Sequence, residues 1–125
     1  MFILEIYMKD YLLDKKAYIR DLDVKKREIA FPVTKSVAIS VIGPRRAGKS
    51  FSMFYWIKTK KLKDENYLFI NFEDDEIKEM KRSEIRKCVH YHVEIYGKEP
   101  RFLFFDEIQN LKRWESFLYS CLLYT

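Results

Sequence analysis

Residues 43 to 50, Gly43-Pro44-Arg45-Arg46-Ala47-Gly48-Lys49-Ser50, set two glycines, a lysine and a hydroxyl in the order G-x-x-x-x-G-K-[ST]. A loop of this composition between a strand and a helix can wrap a phosphate with its own amide N–H groups. The following helix N-terminus adds partial positive charge. Glycine permits the close backbone approach that a Cβ would block. Of the three glycines in the chain, two stand in this loop. The pattern assigns Lys49 to the β- and γ-phosphates and the Ser50 hydroxyl to Mg²⁺. The candidate nucleotide contacts are thus Gly43, Pro44, Arg45, Arg46, Ala47, Gly48, Lys49, Ser50 and the adjoining Phe51. Arg45 and Arg46 fill positions the pattern leaves free, and two readings stand for them: contact with phosphate or a partner chain, or solvated loop arginines.

Downstream, Phe102-Leu103-Phe104-Phe105-Asp106-Glu107 is an apolar run that delivers two carboxylates at its end. By itself this is a strand leaving a core. Behind a phosphate loop it becomes the second acidic motif of a nucleoside triphosphatase, because ligands of open α/β sheets sit at the C-terminal strand ends. Asp106 is then the Mg²⁺ ligand, acting through the water shell, and Glu107 the proton acceptor that orients the attacking water. Kinases and GTPases generally lack the second carboxylate, so a small-molecule kinase is disfavoured.

These groups need elements to hold them. Leu4, Tyr7, Met8, Tyr11 and Leu12 recur at helical spacing and predict a helix over residues 1 to 20. Residues 24 to 31 give no clear pattern, and Pro32 closes them. Val37 to Ile42 is a β-branched run ending at Gly43-Pro44, a buried strand. Lys49 to about Lys61 lacks Gly and Pro and reads as a helix. Its apolar positions, Phe51, Phe54, Tyr55 and Trp56, are most simply core. Tyr67 to Phe72 is a second strand, followed by the acidic cluster Glu73 to Glu76. Ile85, Cys88, Val89, His92 and Tyr96 fall at steps of three and four, predicting a helix stopped by Gly97. His92 lies on its core face and His90 on its surface. Phe102 to Phe105 is the third strand, and a last helix begins near Lys112. Strands alternating with helices imply a mostly parallel sheet in an α/β fold.

Three ordered stretches then carry a resemblance. Gly43 to Ser50, Tyr67-Leu-Phe-Ile-Asn-Phe-Glu-Asp74, and Asp106-Glu-Ile-Gln-Asn110 with Trp114 four residues on resemble a prokaryotic AAA-type P-loop ATPase family common in archaea. Its patterns are G-P-R-R-x-G-K-[ST], N-[FL]-[ED]-D and D-E-[IV]-Q-x-x-x-x-W. The resemblance spans about residues 37 to 118 and implies an ATP-binding, ATP-hydrolysing module that uses Mg²⁺. Gln109 and Trp114 match the pattern without an assigned chemistry; a loop or capping role for Gln109 and a helix anchor for Trp114 are the structural readings. Family members continue with a further strand, a polar sensor and arginine-bearing helices, so the chain corresponds to the N-terminal part of the ATPase domain. The resemblance implies that the next strand inserts between the first and third strands. Without it those two are expected to be left unbridged or to pair in a non-family way, with a second copy or a partner protein completing the sheet. An arginine finger would come only in trans, and intrinsic turnover would be very low. Two functions follow: a hydrolytic ATPase domain, or a nucleotide-binding or interaction remnant without turnover.

Composition bounds the rest. The 125 residues predict one domain, with a lead-in over 1 to 35 and the motif-bearing core over 36 to 125. A hydrophobic fraction of 48% supplies a core and argues against disorder. Apolar runs fall short of the roughly 18 residues that would suggest a membrane span, and the start shows no basic leader, which predicts no signal peptide. Two cysteines are too few for a disulfide framework or a zinc site, favouring a reducing cytoplasm. The net charge of +5 is compatible with a nucleic-acid partner and does not demonstrate one. Charged residues at 34% with few Asn and Gln suggest a thermophilic source.

Overall fold

The computed structural model describes residues 2–22, 37–41 and 49–122. The stretch 24–32, the loop Gly43 to Gly48 and the last three residues lie outside them. Strand β3 (Phe102–Asp106) sits in the middle of a three-stranded sheet, between β1 (Val37–Val41) and β2 (Tyr67–Asn71). Both pairings are parallel, with Phe102 opposite Val37 and Tyr67 at one end, and Asp106 opposite Val41 and Asn71 at the other. Parallel neighbours require helical crossovers. Helix α2 (Lys49–Thr59) connects β1 to β2. Helices α3 (Asp75–Lys78), α4 (Arg82–Ile85) and α5 (Cys88–Tyr96) connect β2 to β3. Helix α1 (Phe2–Asp21) precedes the sheet and α6 (Trp114–Leu122) follows it.

β2 and β3 read as apolar runs up to their last residue because both sheet faces are covered there. Alternate residues Leu68, Ile70, Leu103 and Phe105 pack with Met8 and Leu12 of α1, Cys88 and Val89 of α5 and Phe117 of α6. Their neighbours Tyr67, Phe69, Phe102 and Phe104 pack on the opposite face with Met53, Trp56 and Ile57 of α2. Burial of Phe54, Trp56 and His92 and exposure of His90 agree with the sequence reading, whereas Tyr55 is only half-buried and the Phe51 side chain lies outside what is described.

Two features of the fold have local causes. Strands β1 and β3 hydrogen-bond directly, so of the two expected arrangements the gap is absent and pairing without an intervening strand is present. Backbone N–H and C=O groups in a sheet interior cannot stay unpaired, and closing the sheet satisfies them. The single helix expected through Ile85 and Tyr96 is two helices, because Lys87 adopts φ −84° and ψ 8° at the junction. That departure from helical geometry is small enough to keep Ile85, Cys88, Val89 and His92 buried on one side. Gly97, at φ 75°, ends α5 as expected, and its N–H donates to the Val93 carbonyl. The acidic cluster after β2 opens α3, where Asp75 and Glu76 suit the positive helix start.

Tyr7 belongs to the expected apolar stripe of α1 yet is 59% exposed, while Lys16 on the same helix is 1% exposed. The reason is that α1 lies along the outer edge of β2. Near the C-terminal strand end, the Tyr11 hydroxyl accepts from the Asn71 N–H at 2.9 Å and donates to Asp74 Oδ2 at 2.8 Å. Near the N-terminal end, Lys16 Nζ donates to the Asp64 carbonyl at 2.9 Å and meets His92 Nδ1 at 3.3 Å. It also lies 4.1 Å from the centre of the Tyr96 ring. His92 Nε2 pairs with the Glu65 carbonyl at 3.0 Å, so the neutral ring donates from Nε2 and accepts at Nδ1. An edge strand that presents free N–H groups invites unwanted pairing. Here the helix occupies that edge. Among the described residues no helix is long and apolar enough to cross a membrane.

Burial pushes the Lys16 amine down to about 7, against the opposing pull of Asp64. Burial and the Lys16 charge push His92 down to about 4. Between about pH 7 and 10 the unfolded chain therefore holds the Lys16 proton while the folded chain does not, and stability gained from Lys16 rises with pH across that window. It is lost as pH falls toward 7. Lys16→Met should remove this slope, which reaches at most about 1.4 kcal/mol per pH unit. The check is urea denaturation of both proteins from pH 7 to 9.5. The separate loss of stability between pH 6.5 and 4, caused by His92, should persist in the variant. Tyr11→Phe should cost about 1–3 kcal/mol in the same assay, because it leaves the Asn71 N–H without its acceptor.

Candidate functional site

Asp106 ends β3 and is fully buried, and its register partners are the last residues of β1 and β2. The chain that leaves β1 after Val41 runs into the Gly43–Ser50 segment, and α2 begins at Lys49. Both motifs therefore emerge at the same end of the sheet, the C-terminal end where α/β sheets bind ligands. The Gly43 to Gly48 loop, with Arg45 and Arg46, lies outside the described residues. For Lys49, Ser50 and Phe51 the helical backbone is described.

The carboxylate pair is held by the backbone as much as by side chains. The Asp106 carbonyl accepts from the Phe72 N–H at 2.9 Å, extending the β2–β3 ladder one step past Asn71. Glu107 then turns into the left-handed region at φ 56° and ψ 34°. That conformation is uncommon for a residue with a Cβ, and such strain persists only where the surroundings impose it. Here it turns the chain sharply from β3 into a short 3₁₀ turn, Ile108–Asn110, while Ile108 plugs the core. Glu107 itself is 5% exposed, and its Oε2 accepts from Gln109 Nε2 at 2.6 Å. Gln109 thus has the loop role, and Trp114 is the first residue of α6, packed at the rim of the core.

The end of β2 supplies the opposite wall. The Asn71 side-chain oxygen accepts from the Glu73 N–H at 2.9 Å, folding the chain back in an Asx-type turn. Glu73 is bracketed by Lys78 at 2.9 Å and by Asn110 Nδ2 at 2.7 Å. The second of these contacts ties the β2 loop to the turn that carries Glu107. Asp74 receives the Tyr11 hydroxyl and Lys15 Nζ, the latter at 2.8 Å. Burial and the Asp74 charge push the Tyr11 phenol well above its ordinary range, so it stays a donor. Of these supporting residues, Asn71, Glu73, Asp74 and Asn110 lie within the quoted motifs, while Tyr11 had only its helical spacing to mark it. Among the described residues no group of three or more His, Cys, Asp or Glu side chains is placed to hold a metal ion.

Comparison with known proteins agrees with this architecture. The family model described as an AAA domain matches residues 35–124. An uncharacterised protein of Methanocaldococcus jannaschii is 29% identical over 114 residues, which cover 91% of this chain and 25% of that protein. The chain therefore spans about a quarter of that relative's length. No solved structure matches the chain significantly. The family match runs from just before β1 to the end of α6, taking in the whole sheet and both motifs: the chain belongs to the AAA domain family.

Proposed function

We propose that the chain binds ATP with Mg²⁺ at the C-terminal end of the sheet and hydrolyses it there. The observation that carries this reading is the register of Asp106 with Val41, which brings the acidic motif beside the origin of the phosphate-loop segment. Gly43 to Ser50 supply backbone N–H donors to the phosphates, and Lys49 supplies a fixed cation to the β- and γ-phosphates. A buried carboxylate at a strand end is a hard oxygen donor of the kind Mg²⁺ takes, and the Ser50 hydroxyl is a second. Mg²⁺, when bound by Ser50 and Asp106, neutralises charge on the β- and γ-phosphate oxygens. Glu107 accepts the proton of the attacking water, and its strained turn keeps the carboxylate at the strand end. Gln109, already bonded to Glu107, fixes where that carboxylate points. ATP is preferred to GTP because the sequence contains no N-K-x-D guanine-reading motif. An arginine placed at the γ-phosphate would stabilise transition-state charge and raise turnover.

Lys49→Ala removes the one fixed lysine cation at the phosphates and should weaken Mg-ATP binding by roughly 10- to 100-fold, read by titration calorimetry. Unchanged affinity would refute the phosphate-loop assignment. Glu107→Gln keeps shape and removes the proton acceptor. It should leave nucleotide affinity within about twofold while lowering phosphate release by about 10²-fold or more. A wild type that binds ATP and releases no phosphate would instead mark a nucleotide-binding module without turnover.

A further inference from the structure

The two cysteines of the chain come from helices far apart in sequence and meet in the core. Cys88 opens α5 and Cys121 stands near the end of α6, with Sγ atoms 3.9 Å apart and both residues buried. A disulfide places its sulfurs about 2.05 Å apart, so closing the bond takes a sulfur movement of about 2 Å. With two cysteines in the chain, one intramolecular pairing exists, and it has no competitor within the molecule.

We propose that Cys88 and Cys121 are a reversible modification site, forming an intramolecular disulfide that clasps α5 to α6. The first half of α6 is anchored independently, by the Phe117 ring against Phe72 at 5.5 Å and Phe105 at 5.3 Å. Its last turn carries exposed Tyr119, and Cys121 packs in the core. Local opening of that turn is the motion through which the thiols would meet an oxidant. The contact with Cys121 and burial push the Cys88 thiol well above its ordinary value, so the closed protein keeps it protonated and slow to react.

With glutathione disulfide as oxidant, one cysteine loses its proton to solvent and its thiolate attacks a glutathione sulfur. The glutathione S–S bond breaks, leaving a mixed disulfide and one glutathione thiolate. The second cysteine, likewise deprotonated, attacks the protein sulfur of that mixed disulfide and expels the second glutathione. Two electrons pass to glutathione disulfide, which ends as two glutathione thiols, and the protein loses two hydrogens.

The test is equilibration of the full chain in glutathione buffers of increasing oxidised fraction, followed by acid quench, alkylation under denaturing conditions and intact mass. The expected result is a monomer that loses both alkylatable thiols together and yields a Cys88–Cys121 linked peptide. Reduction with dithiothreitol should reverse it. Cys88→Ala and Cys121→Ala each remove the linked species. The result that overturns the proposal is persistence of both free thiols in the most oxidising buffer, a stable glutathione adduct, or linkage between chains. The wild-type measurement stands even where a variant fails to fold, and it needs no nucleotide.

Discussion

A strand hydrogen-bonded along both edges and packed on both faces has almost no freedom left, and its last residue inherits that rigidity. β3 is that strand. Its pairing to β1 on one side and β2 on the other sets Asp106 level with the ends of both neighbours. The rest of the candidate site depends on this register. A slip of one residue would exchange the two faces of β3 and set its side chains against the wrong neighbours. It would also carry Asp106 away from the start of the phosphate-loop segment. The aromatic content of the strand enforces the alignment, since Phe104 and Phe105 are fully buried on opposite faces.

From that fixed end the supporting contacts radiate outward. Glu107 takes a left-handed turn, Gln109 bonds to its carboxylate, and Asn110 reaches Glu73 on the neighbouring loop. Asn71 and Asp74 pass the connection to Tyr11 on α1. The same helix seals the outer edge of β2 with Lys16 near the opposite end. Placing an amine in that sealed edge carries a desolvation cost, which is why its affinity for a proton falls so far. In return the carbonyl of Asp64 and the ring nitrogen of His92 both gain a donor. The outer edge of β2 is thus closed by the chain itself.

The chemistry-bearing stretches were legible because each pairs a composition with a place. An apolar run ending in Asp106-Glu107 reads as a strand end, and the run before Gly43 reads as another. The strands and the helices α1, α2 and α6 followed from periodicity and from breakers such as Gly97. Pairing of β1 with β3 was legible only as one of two alternatives, because the apolar strands look alike and period-two patterns do not name neighbours. The break at Lys87 escaped because a nearly helical residue preserves the three-and-four spacing across it. Lys16 escaped for a different reason. A lysine on a helix reads as solvent-facing, and only three-dimensional neighbours from α5 and the Asp64 turn reveal the pocket that takes it in.

We propose that the end of β3 lies beside the bound triphosphate. Substituting Mn²⁺ for Mg²⁺ and recording amide line-broadening in the ATP complex tests it most directly. Paramagnetic broadening should be strongest at Ser50, Asp106 and Glu107, with Asn71 next and Phe102 and Tyr67 spared at the far ends of their strands. Broadening centred on Phe102 and Tyr67, or absent from Asp106 while ATP is bound, would contradict the account.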